Sequence, residues 1–251
     1  MSGRLLLVPN TLDLGAADAT LEDVLPLGVL RMAASLLHWV VEDARNARAF
    51  LKRIGAVTPL AHSLQALQVN ELPRPRKGSR EDIPLSAWST LLEPARRGQD
   101  IGLLSEAGLP GVADPGAALV QAAHDAAIPV WPLAGASSLT LAVAASGLNG
   151  QSFAFVGYLP QDAAARAARL RDLEAQSRRL VQTQLLIETP YRNAALAAAL
   201  WAVLAPGTRV SIACGLTQPR GWCRTATVAQ WRAAPPVMPD TLPAVFALLA
   251  A

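Results

Sequence analysis

The residues most suited to chemistry lie in one segment rich in glycine and proline, 105–116. It follows a compact apolar run, 101–104, that predicts a buried strand, and it precedes an alanine-rich helical pattern. The segment is therefore a loop at the carboxyl end of a strand, where open α/β sheets bind ligands, and its glycines let the backbone approach a bound molecule. The alternative is a plain connection in which Asp114 caps the next helix and Pro115 takes its first position. That alternative does not explain a second glycine–proline cluster at 108–111.

Composition limits the classes of protein that this chain can be. Its 251 residues are 52% hydrophobic, too apolar for a disordered chain and enough to bury a core in one large domain or two small ones. The longest uncharged stretch, 126–161, is interrupted by prolines and glycines, so it predicts strands and a buried helix rather than a membrane span. The first strand begins directly after Arg4, which fits no signal peptide, and we expect a cytoplasmic protein.

Net charge and the number of cysteines and histidines say less about the partners and metal sites of this protein than composition says about its class. A net charge of +3 permits an RNA partner without requiring one. Cys214 and Cys223 are the only cysteines, too few for a disulfide framework or a four-ligand zinc site, and the three histidines are scattered, so no metal site is expected. A basic stretch with prolines, 72–80, predicts a solvated surface loop, with contact to a phosphate backbone as the alternative.

Apolar runs and helical patterns alternate along the chain, which predicts parallel βαβ units and an α/β fold. A first series runs through strand 4–8, helix 20–34, strand 36–41, helix 46–54, strand 60–63, helix 86–97, strand 101–104, helix 115–127 and strand 129–133. A second series runs through helix 137–146, strand 153–156, helix 164–176, strand 184–187, helix 193–204, strand 209–213, strand 224–228 and a last apolar run, 244–249. We expect a domain boundary between the two series, with an N-terminal domain at 1–134 and a C-terminal domain at 135–251.

Several ligand-binding motifs are absent from the sequence. No Gly-x-Gly-x-x-Gly follows the first strand, which removes support for a dinucleotide-dependent dehydrogenase. There is no Gly-Lys-Ser/Thr phosphate loop and no Gly-x-Ser-x-Gly nucleophile elbow. The sequence therefore does not favour a P-loop nucleotidase or an α/β-hydrolase.

Segment 104–116, Leu-Ser-Glu-Ala-Gly-Leu-Pro-Gly-Val-Ala-Asp-Pro-Gly, resembles the Ser-Asp-Ala-Gly-Thr-Pro-x-Ile-Ser-Asp-Pro-Gly loop of the tetrapyrrole methylase family. Five further segments resemble other motifs of that family in the same order: 6–9, 41–45, 133–138, 157–160 and 187–192. The resemblance is closest to the small-subunit ribosomal RNA cytidine 2′-O-methyltransferase branch.

This resemblance implies two α/β domains of the tetrapyrrole methylase type, with S-adenosylmethionine in the cleft between them, and a homodimer as the assembly. It implies a methyltransferase that acts on a ribose 2′ oxygen of ribosomal RNA. A tetrapyrrole or another small molecule is the alternative acceptor, and a non-catalytic cofactor-binding protein is a third reading. Methyl transfer is an in-line displacement, so the protein must chiefly hold the acceptor atom roughly 3 Å from the methyl carbon.

The resemblance also implies which residues contact the cofactor. They are Pro9, Ser105, Glu106, Ala107, Gly108, Pro110, Ala113 and Asp114 from the first domain, and Gly135, Ser137, Ser138, Glu188, Thr189, Tyr191, Ala213, Cys214 and Thr217 from the second. The serines at 137 and 138 lie where a helix should begin, so N-capping is an equal alternative for them. Glu188 ends an apolar strand, and an ion pair with Arg192 is the alternative to a role in the cleft.

A ribose hydroxyl needs a group that accepts its proton, and Glu42, Asp43 and Glu106 are the acidic candidates. Each could instead be a helix cap or a hydrogen-bond anchor. Some positions depart from the family: Leu109 replaces a threonine, and three charged side chains of the ribosomal RNA branch are missing at 213–218. The lost charges favour the small-molecule alternative, whereas the closer resemblance to the RNA branch favours RNA. The departures at Leu109 and Gln218 leave the non-catalytic reading open.

Overall fold

The computed structural model of the chain describes residues 2–13, 20–74 and 83–251. Contacts divide the chain into two compact units, Met1–Ala136 and Ser137–Ala251. Each unit is built on a five-stranded sheet with helices packed on it, which is an α/β architecture. No helix in the described ranges is both long and apolar enough to cross a membrane.

The sheet of the first unit is parallel throughout. Its strands are β1 (Leu5–Val8), β2 (His38–Val41), β3 (Gln68–Glu71), β4 (Ile101–Leu104) and β5 (Val130–Pro132), in the order β3-β2-β4-β1-β5. The central strands are almost entirely apolar because both faces of a parallel sheet are covered. Gly102 in β4 makes room for the buried ring of Trp39, since a Cβ there would lie 2.7 Å from that ring.

Helices cover both faces of this sheet. One face carries α1 (Leu27–Ser35) and α2 (Ala44–Val57), and the other carries α3 (Leu85–Leu91), α4 (Glu93–Arg96) and α5 (Ala117–Asp125). Each face has its own core cluster of buried side chains, one around Trp39 and one around Leu103.

Four predicted elements of the first unit are wrong in detail. The single helix predicted at 86–97 is divided into α3 and α4. The helix predicted at 20–34 is a short 3-10 turn followed by α1, because Pro26 lacks an amide hydrogen and disfavours helical geometry at the residue before it. The helix predicted at 46–54 begins earlier and continues through Gly55 to Val57. The strand predicted at 60–63 is instead β3 at 68–71, an exposed polar edge strand without the apolar pattern that marks buried strands.

The sheet of the second unit is mixed. Its strands are β6 (Phe153–Gly157), β7 (Thr183–Glu188), β8 (Arg209–Cys214), β9 (Trp222–Thr227) and β10 (Ala244–Leu249), in the order β6-β7-β10-β8-β9. The central strand β10 is antiparallel to both neighbours, and β9 is antiparallel to β8. The expectation of parallel units throughout is therefore wrong here, because the short connection from β8 to β9 forces an antiparallel pair.

One face of this second sheet carries α6 (Ser138–Ser146), and the other carries α7 (Ala163–Leu180), α8 (Asn193–Val203) and α9 (Val228–Ala233). Sequence analysis did not predict α9. Its signal was present, because Thr227 and Gln230 form a capping box at its start.

Candidate functional site

The loops that follow β1 and β4 diverge at the carboxyl edge of the first sheet. These strands are neighbours, but the chain continues from β1 to α1 on one face of the sheet and from β4 to α5 on the other face. Ligands of open α/β sheets bind in the crevice at such a switch point. The segment 105–116 is the loop after β4, so the glycine-rich loop lies at the position that favours a ligand.

Asn10 ties the two loops together. Its side-chain amide donates to the carbonyl oxygens of Ser105 at 2.9 Å and Glu106 at 3.0 Å. Its backbone amide donates to the Gly108 carbonyl at 2.8 Å, and the Gly108 amide donates to the Thr11 carbonyl at 3.3 Å. The loop after β4 is therefore held in a defined position against the loop after β1.

Two glycines allow the backbones to approach closely at this edge. A Cβ on Gly135 would lie 2.3 Å from the Cβ of Pro9, so the loop after β5 passes the loop after β1 only because residue 135 has no side chain. Gly108 has a φ of +65°, which favours glycine, and a Cβ there would lie 3.3 Å from the Leu12 side chain. The predicted contact residues Pro9, Gly108 and Gly135 therefore belong to one cluster within the first unit.

Glu106 is held by hydrogen bonds at both its backbone and its side chain. Its amide donates to Glu42 Oε1 at 3.2 Å, and its Oε2 accepts from the Asn46 side-chain amide at 2.6 Å. Burial raises the pKa of Glu106, and the negative charges of Glu42 and Asp43 raise it further. The hydrogen bond from Asn46 acts in the opposite direction and lowers it. A raised pKa is suited to a carboxylate that accepts a proton near neutral pH.

Asp43 has a structural partner. It is the N-cap of α2, and its Oδ1 accepts from the Asn46 amide at 2.8 Å. Glu42 lies at the end of β2, where its carbonyl accepts from Arg74 Nη2 at 2.7 Å. The cap and anchor roles are thus present at these two positions, and their role as proton acceptors stays a prediction.

Asp114 does not cap the helix that follows it. The N-cap of α5 is Gly116, so the plain connection with Asp114 as cap and Pro115 as first helical residue is wrong. No hydrogen bond or ion pair of the Asp114 carboxylate occurs within the described ranges. Burial, together with the charges of Glu42 and Glu106, raises the pKa of Asp114 to about 6. Such a carboxylate is suited to contact with a cationic ligand.

Ser105 has a buried hydroxyl without a partner. The residue is 1% exposed, and no described residue hydrogen-bonds to its Oγ. The register pairs Val41 with Leu104, so Ser105 lies beside Glu42 at the next step of the two strands. An orphaned buried hydroxyl is costly unless a ligand or water completes it. Together with the nearby carboxylates and glycines, it fits the sulfonium, amino and hydroxyl groups of S-adenosylmethionine.

Other predicted contacts of this loop differ in how accessible they are. Pro110 is buried, Ala107 is half-buried and Ala113 is exposed. Ala113 has a φ of +66°, and Thr217 of the second unit has a φ of +64°. Ala127 and Val181, which follow α5 and α7, have the same backbone conformation, so a positive φ alone does not mark a ligand site in this protein.

The second unit has its own polar edge where β7 and β8 end. Glu188 is buried, its Oε2 lies 3.2 Å from Nη2 of Arg192, and its Oε1 accepts from the Thr189 amide at 2.9 Å. The ion pair that the sequence allowed as an alternative is therefore formed. Tyr191 is 74% exposed, which leaves its ring free for contact with a larger molecule.

Four further predicted contacts in this unit differ in what they can offer a ligand. Ser137 is the N-cap of α6 but makes no capping hydrogen bond, and both it and Ser138 are half-buried. The Cys214 side chain is fully buried, and burial raises the pKa of its thiol. Ala213 packs against α6. Ala213 is 2% exposed and Cys214 is 0% exposed, so contact of these two residues with a ligand stays a prediction.

Sequence reasoning missed the residues that hold the loops in place. Asn10 and Asn46 position Glu106, and Arg74 binds the end of β2. A polar residue directly after an apolar strand was the available signal for Asn10. The basic stretch predicted at 72–80 is described only as far as Arg74, and the rest of it lies outside the described residues.

Several curated proteins similar to this chain carry the same name. The Ribosomal RNA small subunit methyltransferase I of Micromonospora olivasterospora is 37% identical over 156 residues, which are 61% of this chain and 49% of that protein. The protein of the same name from Pseudomonas aeruginosa is 32% identical over 174 residues, 68% of this chain and 54% of that protein. The one from Synechocystis is 31% identical over 194 residues, 76% of this chain and 68% of that protein. The chain spans about half the length of the first two relatives.

Solved structures agree on the fold at lower sequence identity. The methyltransferase CobJ has a TM-score of 0.58 at 17% identity over 100% of both chains. Uroporphyrin-III C-methyl transferase from Thermus thermophilus, complexed with S-adenyl homocysteine, has a TM-score of 0.50 at 19% identity over 98% of this chain and 97% of that one. The family model of Tetrapyrrole (Corrin/Porphyrin) Methylases matches residues 29–230. The chain therefore belongs to the tetrapyrrole methylase family.

Proposed function

We propose that this protein is an S-adenosylmethionine-dependent methyltransferase that acts on small-subunit ribosomal RNA, at a ribose 2′ oxygen. The observation that carries the proposal is the loop 105–116. It brings a buried hydroxyl and a carboxylate, neither with a partner among the described residues, to a switch point of a parallel sheet. Relatives named ribosomal RNA small subunit methyltransferase I support RNA as the acceptor.

The cofactor supplies a methyl group activated by the sulfonium charge. In this proposal the first unit binds it through Ser105, the 105–116 backbone and the carboxylate of Asp114, which has no partner among the described residues and whose negative charge stabilises the sulfonium. The residues at the ends of β7 and β8 in the second unit are proposed as further cofactor contacts. The protein also assembles as a homodimer and works in the cytoplasm, where ribosomal subunits are found.

Glu106 accepts the proton of the ribose hydroxyl in this account. Its raised pKa suits proton transfer near neutral pH, and its hydrogen bond from Asn46 holds the carboxylate in one orientation at the edge of the first sheet. Positioning of the acceptor supplies most of the acceleration, because in-line displacement needs no covalent intermediate with the protein.

A small-molecule acceptor is the second candidate. It is favoured by the uncharged segment Ala-Cys-Gly-Leu-Thr-Gln at 213–218, where the ribosomal RNA branch carries three charged side chains. A tetrapyrrole is the acceptor of this kind that the family name indicates.

The test is transfer of label from methyl-labelled S-adenosylmethionine. Purified protein is incubated with small ribosomal subunits from a strain lacking the gene, with a tetrapyrrole mixture, or with neither. We expect label in the ribosomal RNA alone. Label in the tetrapyrroles would establish the second candidate, and no label in either, with cofactor binding measured in the same preparation, would favour a non-catalytic protein.

A further inference from the structure

One long segment of the second unit carries only positive charge. Residues 189–239 contain five arginines and no aspartate or glutamate. This segment forms α8, β8, β9 and α9. Residues 137–251 as a whole contain ten arginines, no lysine and five carboxylates, so the unit has a formal charge of +5. A surface of this kind attracts a polyanion.

One of these arginines lies over a pair of stacked tryptophan rings. The rings of Trp201 and Trp231 stack with centroids 5.3 Å apart, and the guanidinium of Arg224 lies 4.6 Å from the centre of the Trp231 ring. Trp231 is fully buried and its Nε1 donates to the Val210 carbonyl at 2.9 Å, which fixes the ring. A cation over an indole ring is held in place while its hydrogen-bond donors stay available.

The neighbouring arginines have different roles. Arg232 donates to the Trp201 carbonyl at 2.7 Å and the Leu204 carbonyl at 3.0 Å, so it is a structural link between α8 and α9. Arg220 and Arg224 are exposed, and neither has a hydrogen bond or ion pair with a described residue. Glu174 reaches this region from α7, but it accepts from the Ala205 amide and the Thr208 hydroxyl.

We propose that the arginine–tryptophan surface, which consists of Trp201, Arg220, Trp222 and Arg224 over the buried ring of Trp231, binds an unpaired segment of the acceptor RNA. Arg220 and Arg224 contact backbone phosphates, and the half-buried indoles of Trp201 and Trp222 offer flat surfaces to bases. The surface provides positive charge that the segment 213–218 lacks. This inference rests on the proposed function, since it assigns the binding surface for the same RNA.

The test compares two double variants that remove the same charge. Arg220→Gln/Arg224→Gln changes the surface, and the glutamine stem still covers Trp231. Arg171→Gln/Arg179→Gln changes two exposed arginines of α7 and is the control. Binding of a fluorescein-labelled oligouridylate is measured by anisotropy at several salt concentrations. We expect the surface variant to bind about tenfold more weakly, with a log–log salt slope smaller by about 1, and the control to bind within about twofold of wild type.

Methyl transfer to small ribosomal subunits separates this inference from the proposed function. We expect the surface variant to raise KM for RNA while kcat and the affinity for S-adenosylmethionine stay unchanged. If wild type transfers methyl groups to RNA and the surface variant matches it in KM and binding, the inference is overturned and the arginines only protect the β9 edge from pairing. Equal losses in both variants would also overturn it. If the wild-type protein transfers no methyl group to RNA, the proposed function fails. Binding of the oligouridylate then still shows whether the arginine–tryptophan surface binds RNA.

A melting curve of each variant checks that it is folded. Should the double variant be destabilised, Arg220→Gln alone is measured, because Arg220 lies in the loop before β9 and has no described partner. We expect a weakening of about threefold from this single change. A single variant that binds as wild type does would overturn the role of Arg220.

Discussion

At the scale of single residues, the candidate cofactor site is distinguished by which polar groups at the carboxyl edge of the first sheet have hydrogen-bond or ion-pair partners. Asp43 caps a helix and Glu188 forms an ion pair, whereas Ser105 and Asp114 have no described partner. A polar group that folding leaves unsatisfied is a candidate for ligand contact, because its burial is otherwise unfavourable. The sequence alone could not make this distinction, since it depends on where α5 begins and how Asn46 is oriented.

Glu106→Gln tests the proposed proton acceptor. Glutamine can still accept from Asn46 but cannot take a proton at neutral pH, so we expect turnover to fall by about 100-fold, with cofactor affinity within about twofold of wild type. Single-turnover methyl transfer gives the rate, and titration calorimetry gives the affinity. An unchanged rate would remove Glu106 from the mechanism.

Asp114→Asn tests the raised pKa. Burial in the folded protein raises the pKa of Asp114 from its ordinary value of 3.8 to about 6, so folding favours its protonated form. The contribution of Asp114 to the free energy of unfolding is fully present below about pH 4 and is lost as the pH rises through about 6. We expect the variant to be more stable than wild type by about 1 kcal/mol at pH 7.5, a value reduced for partial exposure, and equal to it near pH 4. Urea unfolding without cofactor measures the free energy of unfolding of both proteins at each pH. A stability difference between them that does not vary with pH would contradict the raised pKa of Asp114.

At the scale of elements, close packing of three loops sets the shape of the candidate site. Sequence patterns identified the glycine loop and the strands of the first unit other than β3, because apolar runs and glycine clusters are local signals. They could not show that the loop after β5 passes over Pro9, since this contact joins residues far apart in the chain. They also did not reveal that β10 lies in the centre of the second sheet, because pairing order is a tertiary property.

Gly135→Ala tests that packing. The new Cβ would lie 2.3 Å from Cβ of Pro9 and 2.4 Å from its Cγ, so the loops must separate. We expect a loss of about 1–3 kcal/mol in the free energy of unfolding and at least about tenfold weaker cofactor binding. Gly28→Ala in α1 is the matched control, because nothing lies within 4 Å of its added Cβ. Equal effects of the two changes would contradict the packing argument.

At the scale of the whole molecule, charge divides between the two units. The net charge of +3 combines a first unit with twelve basic and fourteen acidic residues and a second unit with ten and five. The acidic unit contains the edge proposed to bind a cationic cofactor, and the basic unit contains the surface proposed to bind RNA. The total charge conceals this division, which is why composition alone gave a weak indication of an RNA partner.

The position of the methyl group on the acceptor tests the account most directly. Ribosomal RNA labelled by the wild-type protein is hydrolysed in alkali, which cleaves RNA through the free 2′ hydroxyl and stops wherever that oxygen is methylated. We predict that the label appears in alkali-resistant dinucleotides, and that Glu106→Gln yields about 100-fold less of it per unit time. Label released as single nucleotides, or label found only in a small-molecule acceptor, would contradict the proposed ribose methylation.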